Sequence, residues 1–214
     1  MMNKEKKFDR TTNDRVLTIQ TEELRVADNK RDDSDEMVIE GYFSVFDSNY
    51  EMYDSPTLKI SESIDAHAFD KELQANRDVR FLINHDHTLV LGRTKNGTGS
   101  LHADKHGLYG TVKVNPNDQD AVNLYERVKR GDVDQCSFGF NILSEDRAET
   151  VEDEKSFVHY TIKEVRLHEV SVVTFPAYEQ TEVTARSVEF EKQRLLDEKK
   201  NELTKKLKGA KENA

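Results

Sequence analysis

From residue 169 the chain reads EVSVVTFPAY, and Val170, Val172, Val173 and Phe175 leave almost no break in the apolar run. A stretch this short and this rich in β-branched residues reads as a strand, and one that is apolar on both sides must be covered on both faces. Pro176 has no backbone N–H to give to a ladder and closes the element. The chain therefore has to supply a sheet with cover on either side of this strand.

Much of what precedes it alternates with period two. Short strands are expected around Val16, Thr18 and Gln20, alternating with Leu17 and Ile19, and again at Leu24 and Val26. RDDSDE at 31–36 is an acidic turn, and MVIEGYFSVFDS is a strand with Gly41 at a bulge or a close approach. Ile64, Ala68, Phe69 and Leu73 fall at helical spacing, with Ser61 and Glu62 as the helix start. VRFLINHDH returns to period two, with Val79, Phe81 and Ile83 on one side, and the turn-prone KNGTGS divides it from a strand at Leu101. GLYGTVKV is the next strand, and NPNDQDAVNLYERVKRGD is a short helix stopped by Gly131. Phe157, His159, Thr161, Val165 and Leu167 carry the alternation back to the Val-rich strand.

The ends differ from this middle. Hydrophobic and charged residues each make up 35% of the 214, too polar an average for a chain compact throughout. Residues 1–14 are expected to form a disordered arm, 15–186 one domain, and 187–214, rich in Glu, Lys and Leu, a charged helical tail. A net charge of −10 argues against a nucleic-acid partner, because phosphate contacts need a basic face. No apolar stretch suggests a membrane span or a secretory signal, and a single cysteine cannot form an internal disulfide, so a soluble protein of a reducing compartment is expected.

Candidate chemistry concentrates in DVDQCSFGFN at 132–141. On an extended backbone Cys136 shares a face with Phe138 and Phe140, whereas Ser137 shares the other with Gly139 and Asn141. Cys136 is then core. Ser137 faces a small polar surface, where Gly139 would let a substrate backbone come close. His85, at the end of the Phe81 and Ile83 strand, is a candidate base. With Asp86 and His87 it is also a candidate chelate, but no third ligand lies at a diagnostic spacing. GRTKNGT lacks the lysine of a phosphate loop, and QCSFG lacks the first glycine of a nucleophile elbow. In RLHEVSVV, His168 and Glu169 face opposite ways. A carboxylate in so apolar a strand needs a partner, and His85, Arg93 and Arg166 are all candidates.

Taken in order, EGYFSVFD, AFDKELQAN, FLINHDHTLVLGRT, RVKRGDVDQCSFGF and EVSVVTFPAY resemble the tailed-bacteriophage prohead serine protease family across about residues 38–185. That resemblance implies an α+β fold related to the herpesvirus assembly proteases: a small closed β-barrel flanked by helices. It implies His85 as base and Ser137 as nucleophile of a serine endopeptidase, with Glu169 as third member. His168 stays open for that third role, because the herpesvirus relatives use a second histidine. Gly92 and Arg93 are candidates to meet the oxyanion. No cofactor or metal is implied.

The resemblance also implies partners. These are the major capsid protein with its scaffolding segment, and the protease itself, inside an immature capsid in the host bacterial cytoplasm; a homodimer is left open. The tail would dock into the scaffold and be removed by self-cleavage near residues 180–195. Two rival functions follow from the same residues: a catalytically inactive assembly or scaffold module that binds capsid protein, and a metal-dependent hydrolase built on His85, Asp86 and His87.

Overall fold

A computed structural model describes residues 14–19, 24–27, 36–175 and 182–212. The expected alternation becomes eleven strands among these residues, in two sheets. The longest are β10 (Gln135–Glu152) and β11 (Lys155–Val173), paired antiparallel end to end. β1 (Asp14–Ile19) runs antiparallel along the outer edge of β10. The other edge of β11 is shared. Its first half pairs parallel with β5 (Leu58–Ile64), itself edged by β4 (Tyr50–Asp54), and its last part pairs parallel with β6 (Arg80–Ile83), edged by β7 (Asp86–Arg93). The second sheet has the order β2 (Arg25–Val26), β3 (Val38–Val45), β9 (Gly107–Lys113), β8 (Gly99–Ala103).

Between the sheets lies one core. Ile39 and Phe43 of β3 and Leu108 and Val112 of β9 meet Phe138, Phe140, Val170 and Val172, and the Phe43 and Phe81 rings stand edge to face at 5.7 Å. The closed barrel is not found among the described residues. Because β11 divides one edge between β5 and β6, the first sheet forks instead of curling onto itself, and β1, β4 and β7 remain its ends.

The helix expected from Ser61 is a second correction. Residues 58–64 are β5, and only Asp70–Gln74 (α1) is helical. The helically spaced Ile64, Ala68 and Phe69 are all buried, but from a strand and the turn after it, because pairing along β11 outweighs local spacing. α2 (Gln119–Arg130) is as expected. Asp118 caps it by accepting from the Asp120 and Ala121 amides, and Gly131 ends it at φ +83°.

α3 (Glu182–Glu212) runs across position 186, and its stretch from Val188 to Leu195 packs on the first sheet. Val188 and Leu195 lie against Leu58, Ile60, Val158 and Tyr160 on β5 and β11. Glu191 is fully buried there, bonded by Arg147 (2.9 and 2.8 Å), Arg194 (2.9 Å) and the Tyr160 hydroxyl (2.6 Å). Burial opposes its charge, but the hydrogen bonds from Arg147, Tyr160 and Arg194 outweigh that effect and hold the carboxyl down at about 2. Beyond it the helix turns its charges and Leu196 and Leu203 to solvent. Most of the expected N-terminal arm, and residues 176–181 at the start of the expected cleavage stretch, lie outside the described residues. Among the described residues no helix is long and apolar enough to cross a membrane.

Replacing Glu191 with Ala would remove the buried acceptor shared by Arg147, Arg194 and Tyr160, leaving Glu149 as the carboxylate the two guanidinium groups still share. The expected loss is about 3 kcal/mol, read from denaturant unfolding. The native carboxyl lies below the ordinary glutamate value, so its contribution is complete above about pH 4.3 and is lost as pH falls from there toward 2. Hydrogen exchange along 188–195 should accelerate across that window in the native chain and much less in Glu191→Gln.

Candidate active site

Directly opposite residues of an antiparallel pair share a face, so the register of β10 against β11 sets the site. Ser137 faces Ser171, and Gly139 faces Glu169. All four lie away from the core, into which Cys136, Phe138 and Phe140 point, as their parity predicts. After this pair the register slips: Phe140 faces Leu167, and His168 is the extra residue of a β-bulge. The bulge changes the phase of β11, which is why Leu167 and Val170 both reach the core while Glu169 does not. His168 is exposed, with its ring Nε2 against Asn141 Oδ1. It is not brought to the group around Glu169.

His85 comes to that group from the opposite side of β11. β6 ends with Ile83 beside Val172, and β7 begins at Asp86 opposite Ile83, leaving a two-residue turn. Asn84 and His85 have φ of +50° and +59°, the two positive values that a type I′ hairpin turn needs. FLINHDH is therefore two strands and not one, and His85 and His87 are not strand neighbours on one face. A non-glycine residue in this region costs about 1–3 kcal/mol and persists only where its surroundings hold it. Three bonds do so here. The Asn84 amide donates to Val172 O (2.9 Å), Asn84 Oδ1 accepts from the Thr174 amide (2.9 Å), and the His85 amide donates to Ser171 Oγ (3.2 Å).

The turn lays the His85 ring over β11, where Nδ1 lies 2.8 Å from Glu169 Oε1. Ser171 Oγ donates to Glu169 Oε2 at 2.5 Å. Because Glu169 is 6% exposed, both of its oxygens need these donors. A carboxylate only accepts, so Nδ1 carries a proton, and in the neutral ring Nε2 keeps a lone pair. Nε2 is buried and has no hydrogen-bond partner among the described residues. Ser137, fully buried, belongs to the same face, one strand beyond β11. That places its backbone two strand spacings, about 10 Å, from β6, a gap the His85 side chain already partly spans.

Gly139 lies against this carboxylate. A Cβ there would lie 2.5 Å from Glu169 Oε1, so the missing side chain makes room for the carboxylate. The other two partners considered for Glu169 are engaged elsewhere: Arg166 with Glu72 (2.9 Å), and Arg93 with Asp78 through two bonds. Gly92 and Arg93 end β7, where two register slips set them opposite Phe81 and Arg80 of β6, the neighbours of Val170 and Glu169 on β11, and Gly92 is buried. Among the described residues Arg93 makes no hydrogen bond to His85 or Glu169. Asp86 accepts from the Thr88 amide and hydroxyl, His87 is exposed, and among the described residues no three His, Cys, Asp or Glu could hold a metal ion. Sequence reasoning did not single out Ser171 and Asn84. The available signals were the shared parity of Ser171 with Glu169 and the asparagine beside the histidine, a residue that tolerates a positive φ.

A buried carboxylate and an imidazole with one unpaired nitrogen, on the face that carries a serine, are the makings of a hydrolase of the Ser-His-acid class. Residues 22–194 match the Caudovirus prohead serine protease family, and the chain belongs to that family. Among solved structures, the capsid assembly protease of bacteriophage T4 is similar, with a TM-score of 0.46 and 14% identity over 76% of this chain and 98% of that one. Among curated proteins none matches.

Gly139→Ala should force the Glu169 carboxylate off its position. The expected outcome is a loss of about 1–3 kcal/mol in denaturant unfolding, together with changed NMR signals of the His85 ring. Wild-type stability and an undisturbed ring in that variant would contradict this use of Gly139.

Proposed function

We propose that this chain is a serine endopeptidase of phage capsid maturation. Ser137 attacks the scissile carbonyl, His85 takes its proton at Nε2 and returns it to the leaving amine, and Glu169 holds the ring in the Nδ1–H tautomer. The observation that carries this reading is the His85 Nδ1–Glu169 bond of 2.8 Å, which leaves a buried, unpaired Nε2 on the face of Ser137. Membership of the prohead serine protease family supports it. Glu169 is favoured over His168 as third member because the His85 ring is bonded to Glu169, whereas the His168 ring lies against Asn141.

The substrates are the scaffold or the scaffolding extension of the major capsid protein, and the chain itself, inside the immature capsid within the host cell. Full burial of Ser137 suits a latent form that opens before a peptide enters. A self-cut within 182–195 would have to follow undocking of α3, because those residues are helical and cleavage needs an extended backbone.

Co-expression with the capsid protein of the same phage, read by intact mass, tests the proposal. The native chain should shorten both the capsid protein and itself. Ser137→Ala should cut neither, and Glu169→Gln should slow cleavage about 100-fold or more. A chelator should leave the native cuts unchanged. Cutting by Ser137→Ala that a chelator stops would establish the metal-dependent reading, and no cut by the native chain would establish the inactive module.

A further inference from the structure

Ser171 is fully buried and sits directly across from Ser137, yet its hydroxyl is committed away from that neighbour. It donates its hydrogen to Glu169 Oε2 at 2.5 Å and accepts the His85 amide hydrogen at 3.2 Å. We propose that Ser171 is the positioning residue of the His85–Glu169 pair, setting the carboxylate plane and the histidine turn with one hydroxyl. The inference rests on the roles given above to His85 and Glu169.

Two physical needs meet at this oxygen. The terminal torsion of a glutamate is broad, so a single bond from Oε1 to the imidazole leaves the carboxylate plane free to swing. A donor on Oε2 removes that freedom and satisfies a buried charge that would otherwise face an apolar strand. The second need is the turn. His85 is held at φ +59° by its surroundings, and the bond from its own amide to Ser171 is the one that acts on the histidine directly. A hydroxyl has one hydrogen and two lone pairs, so it can meet both needs at once.

Ser171 is poorly placed to be the nucleophile. Its hydrogen points to Glu169, and the ring atom on that side is Nδ1, which donates to the same carboxylate. A nucleophile must give its proton to an accepting nitrogen. Nε2 is that nitrogen, and Ser137 is the serine left to use it.

The test follows the His85 tautomer by nitrogen NMR in full-length chain labelled with 15N-histidine. The Ser137→Ala background keeps the chain intact, and His85→Gln assigns the signal. In that background the neutral ring should be almost wholly the Nδ1–H form. Adding Ser171→Ala should bring the Nε2–H form to half or more of the population, and Ser171→Thr, which keeps the hydroxyl, should restore the first state. A role confined to packing would lower the melting temperature of Ser171→Ala without changing the tautomer, and that result overturns the proposal. If Ser171→Ala does not fold, Ser171→Cys, a near-isosteric but weak donor, should show an intermediate mixture, and the unchanged Nδ1–H form there overturns the proposal equally.

Cleavage separates this inference from the wider reading. With Ser137 present, Ser171→Ala should cut co-expressed capsid protein about 10–100-fold more slowly than the native chain. Loss of cutting in Ser137→Ala with native cutting in Ser171→Ala would remove the positioning role and keep the serine protease. Persistence of cutting in Ser137→Ala would remove Ser137 as the nucleophile, whatever the tautomer does.

Discussion

Both edges of β11 are occupied, and that constraint organises the molecule. β10 follows one edge for the whole length, while β5 and then β6 divide the other. The division forks the sheet and leaves it open. It also brings the turn after β6 up against the last third of β11, from the side opposite β10. A serine on β10 and a histidine after β6 are 52 positions apart in the chain, and β11 sets them on either side of Glu169 and Ser171.

The polar group on this strand is held by mutual satisfaction. Glu169 is nearly inaccessible and receives a donor on each oxygen, and Gly139 keeps the space above β10 clear for it. Asn84 and His85 occupy a backbone region that neither prefers, and bonds to Val172, Thr174 and Ser171 keep them there. Positive φ values and a buried, unpaired imidazole nitrogen are unfavourable for folding taken alone. Their convergence on one face is what a site that must receive a proton requires.

Local pattern made part of this legible. Strand parity separates Cys136 from Ser137, and the cap at Asp118 and the stop at Gly131 bound α2, because each depends only on near neighbours. The helix expected from Ser61 fails because a parallel strand partner lies about a hundred residues away, beyond the reach of any spacing rule. His85 reads as a strand residue because the two-residue turn interrupts a continuous apolar and polar alternation without a glycine to mark it. The bulge at His168 is equally silent, although the apolar phase moves there from Leu167 to Val170. The packing of α3 rests on Glu191, which in sequence is one acidic residue among many and becomes distinctive only beside Arg147, Tyr160 and Arg194.

The central claim is that Ser137, His85 and Glu169 act as one unit. The most direct measurement is to treat the native chain, co-assembled with its own capsid protein, with a small fluorophosphonate and to locate the adduct by peptide mass. The account predicts phosphonylation of Ser137, lost when His85 is replaced by Gln. An adduct on Ser171, or one on Ser137 that forms equally fast without the imidazole, would contradict it.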